Sequence, residues 1–171
     1  MAKVGQVIGV AIDNGSAVVC IATDGHLELL QRHVTAGRID LPNASTVDQV
    51  VCLDAPATLA KIAGNDVSDV VGFAEVVGAI LDRASTRHSR VWIFSDLALM
   101  RVNGHYSGAI ELERLLASFA AARPDVFLYC AYPTNEFTSQ HDHAAFVRIC
   151  DEHCRILQNG RSLGDRSARE S

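Results

Sequence analysis

Hydrophobic residues in this chain fall into two kinds of run: short continuous runs and longer ones with helical spacing. The short runs are residues 17–23, 49–54, 90–96 and 126–132. Continuous apolar runs of this length are typical of strands that are buried on both faces of a sheet. Segments with apolar residues three and four apart lie between them and predict amphipathic helices. Because the two patterns alternate, the sequence predicts parallel βαβ units in one three-layer α/β domain.

The helical patterns carry start and stop signals. The first ends at Asn14-Gly15, which favours a left-handed stop, and Asp24 is placed to cap the second, which ends at Gly37. The longest, residues 68–86, is expected to bury one broad face. That face consists of Val70, Val71, Phe73, Ala74, Val77, Ile80 and Leu81.

The last part of the chain predicts less regular structure. Residues 142–154 have the spacing of a final helix, and residues 155–158 suit a fifth strand at the edge of the sheet. Residues 159–171 are mixed in charge and poor in apolar side chains, which predicts a flexible tail after a single domain at 1–158.

Composition narrows the class of protein. The 171 residues suffice for one domain, and the net charge of −5 argues against a nucleic-acid surface. No apolar run approaches the ~20 residues of a membrane span. The five cysteines are scattered and odd in number, which favours free thiols in a reducing cytoplasm.

Several catalytic signatures are missing from the sequence. Neither the phosphate loop with its lysine nor the spacing G-x-G-x-x-G is present, so a nucleotide-driven mechanism has no support. The segment around Ser16 has no second glycine after the serine and therefore forms no nucleophile elbow.

Polar residues cluster where the predicted strands end, which is where open parallel sheets bind ligands. The candidates for ligand contact are Asp96, Ser95, Asp54, Tyr132, Thr23 and Asn135. Asp24 and Asp54 each precede a predicted helix, so capping is favoured over ligand contact for these two. Asp96 follows an aromatic strand that would partly desolvate its carboxylate, so capping and ligand contact are about equally favoured for this residue.

Cysteine and histidine residues offer two further sites. Cys130 lies within a predicted buried strand, which favours an inert packed thiol over a nucleophile. Cys150, His153 and Cys154 share one helical face and could ligate zinc, but their spacing matches no standard zinc signature. We therefore predict no metal site and no cofactor.

Four segments together resemble the methanogen/methylotroph, DcmR-type sensory domain, called MEDS. They are "LDAPATL" (53–59), Leu112-Glu113, "CAYP" (130–133) and the spacing C-x-x-H at 150–153. The resemblance covers about residues 5–157. It implies a RecA/KaiC-like or Rossmann-like sheet without a phosphate loop, and an N-terminus shorter than is usual in the family. Where the family carries an acidic residue in a segment like "Phe-Gly-Glu-Met", this chain has Ser95 and Asp96, so the resemblance makes Asp96 the strongest candidate for ligand contact.

The resemblance implies a non-catalytic sensory or regulatory module of bacterial signalling, acting in the cytoplasm and in transcription regulation. Its expected partner is a small organic ligand or a signalling protein, without membrane or direct nucleic-acid binding. Two alternatives stay open at this point. One is a small hydrolase or transferase that uses Asp54, Asp96 and Glu136 as acid–base carboxylates. The other is an interaction scaffold, expected to be a homodimer.

Overall fold

The structure, a computed structural model, describes part of the chain in two compact units. The units are residues 1–132 and 133–171. The described residues are 2–35, 49–63, 70–96, 106–131, 147, 155–158 and 161–165.

Helices and strands alternate in the first unit, as the hydrophobic pattern predicts. The helices are α1 (Ala2–Asp13), α2 (Asp24–Thr35), α3 (Ala55–Ala63), α4 (Val70–Phe73), α5 (Ala79–Arg87) and α6 (Tyr106–Ala121). The strands are β1 (Ala17–Ala22), β2 (Val50–Asp54), β3 (Val91–Ser95) and β4 (Val126–Cys130). Across the described residues, no helix combines the length and the hydrophobicity that a bilayer span requires.

The four strands form one parallel sheet in the order β2-β1-β3-β4. β1 is buried at all six residues because β2 and β3 pair with its two edges and helices cover its two faces. β2 and β4 lie at the ends of this order and are only partly buried. The parallel α/β architecture predicted from the sequence is confirmed.

Alternate residues of β1 point into two separate hydrophobic cores, which defines three layers. Val19 and Ile21 pack with residues of α3, α5 and α6 on one face of the sheet. Val18 and Cys20 pack with residues of α1 and α2 on the other face. The two faces are called the α6 face and the α2 face below.

Gly15 ends α1 in the left-handed conformation that the Asn-Gly pair predicts. Its φ is +74°, its N–H donates to Ile12 O at 2.9 Å, and the N–H of Ser16 donates to Ala11 O at 3.0 Å. These two bonds form a Schellman motif, which satisfies carbonyls that would otherwise lack a partner at the helix end.

Replacing Gly15 with alanine is expected to lower the free energy of unfolding by about 1 kcal/mol, because a Cβ disfavours positive φ. No atom lies within 4 Å of the added methyl group, so the cost is confined to the backbone. Urea denaturation measures it, with Gly9→Ala inside α1 as the control. Gly9 also has open space around it and no positive φ, so that variant is expected to be stabilised. Equal stability changes in the two variants would contradict this account.

The predicted helix over residues 68–86 is interrupted by a π-helical turn, Ala74–Gly78, between α4 and α5. The buried stripe is narrower than the sequence suggests: Phe73, Val77 and Leu81 are buried, whereas Val71 is 66% exposed and Ala74 is exposed. Ile80, which is partly buried, also packs against this core. The assignment of Val71 and Ala74 to the buried face was wrong.

In the second unit, residues 155–158 form a strand but not an edge strand of the parallel sheet. This strand, β5 (Arg155–Gln158), pairs antiparallel with β6 (Arg161–Asp165) in a separate two-stranded sheet. The expectation that it joins the main sheet is therefore wrong. β6 lies within the range 159–171, whose composition predicts a flexible tail. The helix predicted over 142–154 lies outside the described residues, except for Val147, which is helical.

Candidate functional site

The carboxyl ends of the four parallel strands lie side by side at one edge of the sheet. Backbone hydrogen bonds continue one residue past the ends of β3 and β4. The N–H of Asp96 donates to Ile21 O at 2.9 Å, and the N–H of Ala131 donates to Ser95 O at 3.0 Å. Thr23, directly after β1, is therefore a near neighbour of Asp96, directly after the adjacent β3. Neighbouring strands are ~4.8 Å apart, so side chains from both ends can reach one small molecule.

Asp96 is a buried carboxylate that faces α2. Its side chain is 2% exposed, and its Oδ2 lies 2.7 Å from Nδ1 of His26, in the first turn of α2. The contact has the distance of an ion pair but lacks the alignment of a hydrogen bond. His26 is 30% exposed, so the imidazole lies between the buried carboxylate and solvent. The desolvation expected for Asp96 is confirmed.

Thr23 is the N-cap of α2 and brings a second polar group to the same place. Its carbonyl accepts the N–H groups of His26 at 2.9 Å and Leu27 at 2.8 Å. Asp24, which the sequence suggests as the cap, lies instead in the first turn and is exposed. Within the described part of the chain, the buried Oγ1 of Thr23 has no hydrogen-bond partner. A buried hydroxyl of this kind is costly unless another molecule satisfies it.

A second polar cluster lies under the α6 face at the same edge of the sheet. Glu113 of α6 is fully buried, and its carboxylate accepts hydrogen bonds from Cys130 Sγ at 2.8 Å and from Ser95 Oγ at 3.4 Å. Cys130 is half-buried and donates its thiol proton to Glu113, so it is not the fully packed thiol that the sequence favours. Ser95 and Asp96 thus contact different helices, as the alternation of side chains along a strand requires.

Asp54 lies at the end of β2 and caps α3. Its Oδ2 accepts the backbone N–H of Ala57 at 2.9 Å, which is the geometry of an N-cap. Asp54 therefore has the capping role that the sequence favours for it.

Replacing Asp54 with alanine is expected to lower the free energy of unfolding by about 1 kcal/mol, because the N–H of Ala57 loses its acceptor. Asn caps helices as well as Asp does, so Asp54→Asn is expected to leave stability within about 0.5 kcal/mol of the parent. Thermal and urea denaturation measure both variants. If Asp54→Asn were as damaging as Asp54→Ala, the carboxylate would have another role.

The structure thus gathers four of the six predicted ligand-contact residues at one sheet edge: Thr23, Asp54, Ser95 and Asp96. Tyr132 and Asn135 lie outside the described residues, as do Cys150, His153 and Cys154. Among the residues that are described, no three potential metal-ligating side chains come together.

The ligand-contact candidates predicted from the sequence do not include two residues of this edge, His26 and Glu113. Glu113 stands beside Leu112 and three residues before Leu116, both of which are buried. A carboxylate on the apolar face of a helix is a detectable signal, because buried glutamate is rare unless it is paired. His26 precedes the buried Leu30 by four residues, which places its side chain on the inner face of α2.

Comparison with known families decides the class of this domain. The family described as MEthanogen/methylotroph, DcmR Sensory domain (MEDS) matches residues 1–147 of 171. The chain belongs to the MEDS family. A search of curated proteins finds no match. Two of the residues on which the resemblance rests, Glu113 and Cys130, form one cluster at the carboxyl edge of this MEDS domain. Asp96, at the position of the family's acidic segment, belongs to the other cluster.

Proposed function

We propose that this MEDS domain is a sensory module of a signalling pathway that binds a small organic ligand at the carboxyl edge of its sheet. The observation that carries the proposal is the pair of buried polar groups at the ends of β1 and β3. The Asp96 carboxylate is 2% exposed, and the buried Thr23 hydroxyl has no partner among the described residues.

The chemistry of these groups indicates the class of ligand. A carboxylate accepts hydrogen bonds, and a hydroxyl both donates and accepts them, so the complementary molecule carries a hydroxyl, amine or amide group. His26, which is partly exposed beside Asp96, gives such a molecule a polar route from solvent to the buried carboxylate. The ligand is small because the two strand ends lie side by side in the sheet.

The geometry gives the acid–base alternative less support. A hydrolase or transferase would need carboxylates that are available to a substrate, and Asp54 is engaged with the first turn of α3. Glu136 lies outside the described residues. The family description itself names a sensory domain.

The proposal predicts that Asp96→Asn abolishes ligand-induced stabilisation while the free protein stays folded. A panel of small alcohols, amines and amides is screened for compounds that raise the melting temperature of the parent, since a ligand that binds only the native state stabilises it. Each stabilising compound is then tested on Asp96→Asn.

The matched control is Asp54→Asn, the same chemical change at the end of β2, which β1 separates from β3. It is expected to keep the full response, because Asn preserves the helix cap. Equal responses of the parent and Asp96→Asn would overturn the site assignment. Turnover of a stabilising compound would support the enzyme alternative.

A further inference from the structure

Two cysteines face each other across β1 and β2, away from the carboxyl edge. Cys20 and Cys52 are paired in the register of the two parallel strands. Paired residues of neighbouring parallel strands point to the same face of the sheet, with Cα atoms ~4.8 Å apart. This spacing falls within the ~4.4–6.8 Å range of Cα separations that a disulfide spans. In the structure, both cysteines are free thiols.

The environments of the two thiols differ. Cys52 is exposed on strand β2, whereas Cys20 is fully buried in the core under α1 and α2. The pKa of Cys52 is lowered, and the largest cause is a hydrogen bond from the neighbouring Cys20 thiol. The same hydrogen bond, together with burial and the charge of Cys52, raises the pKa of Cys20 well above its ordinary value. The accessible sulfur is thus the one favoured as thiolate, the nucleophilic form, and its neighbour holds a proton.

We propose that Cys52 and Cys20 form a redox-active dithiol that reacts with hydroperoxides. The Cys52 thiolate attacks one oxygen of hydrogen peroxide; an S–O bond forms, the O–O bond breaks, hydroxide leaves and Cys52 becomes a sulfenic acid. The Cys20 sulfur then attacks the Cys52 sulfur and gives up its proton. An S–S bond forms, the S–O bond breaks and water leaves, so one peroxide oxidises two thiols to one disulfide.

Cys130 provides an internal comparison. It is also a free thiol, but it is half-buried and its proton is donated to the Glu113 carboxylate. Because the Cys130 thiol donates its proton to a carboxylate, its thiolate form lacks the stabilisation that a hydrogen bond from Cys20 gives to the Cys52 thiolate. Cys52 is therefore expected to react with peroxide and with alkylating agents at least about threefold faster than Cys130.

The test is peptide mapping of the full chain after treatment with equimolar hydrogen peroxide and blocking of the residual thiols. Trypsin places Cys20 in residues 4–32 and Cys52 in residues 39–61, separate from the peptides that hold the other cysteines. The expected product is the disulfide-linked pair of these two peptides. A dominant disulfide that involves other cysteines, or an unmodified Cys52, overturns the proposal.

Two variants at Cys20 separate its two roles. Cys20→Ser keeps a hydrogen-bond donor without a second sulfur, so Cys52 is expected to stay reactive and to accumulate as sulfenic acid, detected with a dimedone probe. Cys20→Ala removes the donor as well, and alkylation of Cys52 is expected to slow by at least about threefold. Circular dichroism confirms that each variant is folded. If Cys52 is alkylated equally fast in the parent, Cys20→Ser and Cys20→Ala, Cys20 does not activate it and the proposal fails.

Discussion

Replacing Phe94 with alanine is expected to lower the free energy of unfolding by about 3–5 kcal/mol, the range for truncating a large buried aromatic side chain. Phe94 is 2% exposed, and among the described residues it has the largest volume of the fully buried side chains. It lies on β3 and packs on the α2 face with Val18 and Cys20 of β1. The truncation would leave a cavity between the sheet and its helices, which the surrounding residues fill only in part. Urea denaturation measures the loss.

Phe127 is the matched control on the neighbouring strand β4. Its side chain is 38% exposed and stacks on Trp92, with ring centroids 5.1 Å apart. Phe127→Ala is expected to cost only about 1 kcal/mol, the scale of a single aromatic pair. Phe94→Leu keeps most of the buried volume and provides a folded variant if Phe94→Ala does not fold. Similar losses for Phe94→Ala and Phe127→Ala would contradict the assignment of Phe94 to the hydrophobic core on the α2 face.

Replacing Glu113 with glutamine is expected to lower the free energy of unfolding by about 1–3 kcal/mol, although the two side chains have nearly the same volume. The carboxylate accepts hydrogen bonds through both oxygens, one from Ser95 and one from Cys130. An amide keeps one acceptor and turns an NH₂ group toward the other donor, so one buried donor loses its partner. Denaturation midpoints of the parent and the variant measure the effect.

Glu28→Gln is the control, because Glu28 is exposed on α2 and its change is expected to stay within about 0.5 kcal/mol. A double-mutant cycle with Cys130→Ala isolates the contact, since removing the thiol should cost less once Glu113 is already glutamine. Additive effects of the two substitutions would show that the Cys130–Glu113 hydrogen bond contributes nothing to stability.

The sequence predicted the sheet well because strand burial leaves a strong pattern. The continuous apolar run at residues 17–23 predicted a strand covered on both faces, and β1 (Ala17–Ala22) is such a strand. The end of the first helix at Asn14-Gly15 was equally clear, since few residue types tolerate positive φ. The strand at residues 155–158 was recognised, but its partner was not, because four residues carry no information about which edge they pair with.

Only the residues of the site that end or directly follow a strand could be predicted from the sequence. Asp96 could be placed at the carboxyl edge, because strand order is not needed to know where a strand stops. Its partner His26 follows a different strand, β1, and only the fold shows that β1 and β3 are adjacent in the sheet. Glu113 belongs to a helix whose register against the sheet is set by tertiary packing. Contacts between distant segments of this kind leave no local pattern.

The most direct test of the proposed ligand site is to map the binding of a stabilising compound by NMR on ¹⁵N-labelled protein. The account predicts that the largest amide shift changes occur at Thr23, His26 and Asp96, where the buried polar groups lie at the carboxyl edge. Ala17, Val91 and Val126 begin their strands at the opposite edge and are expected to stay unchanged. Shift changes centred on these three residues, with none at Asp96, would contradict the account.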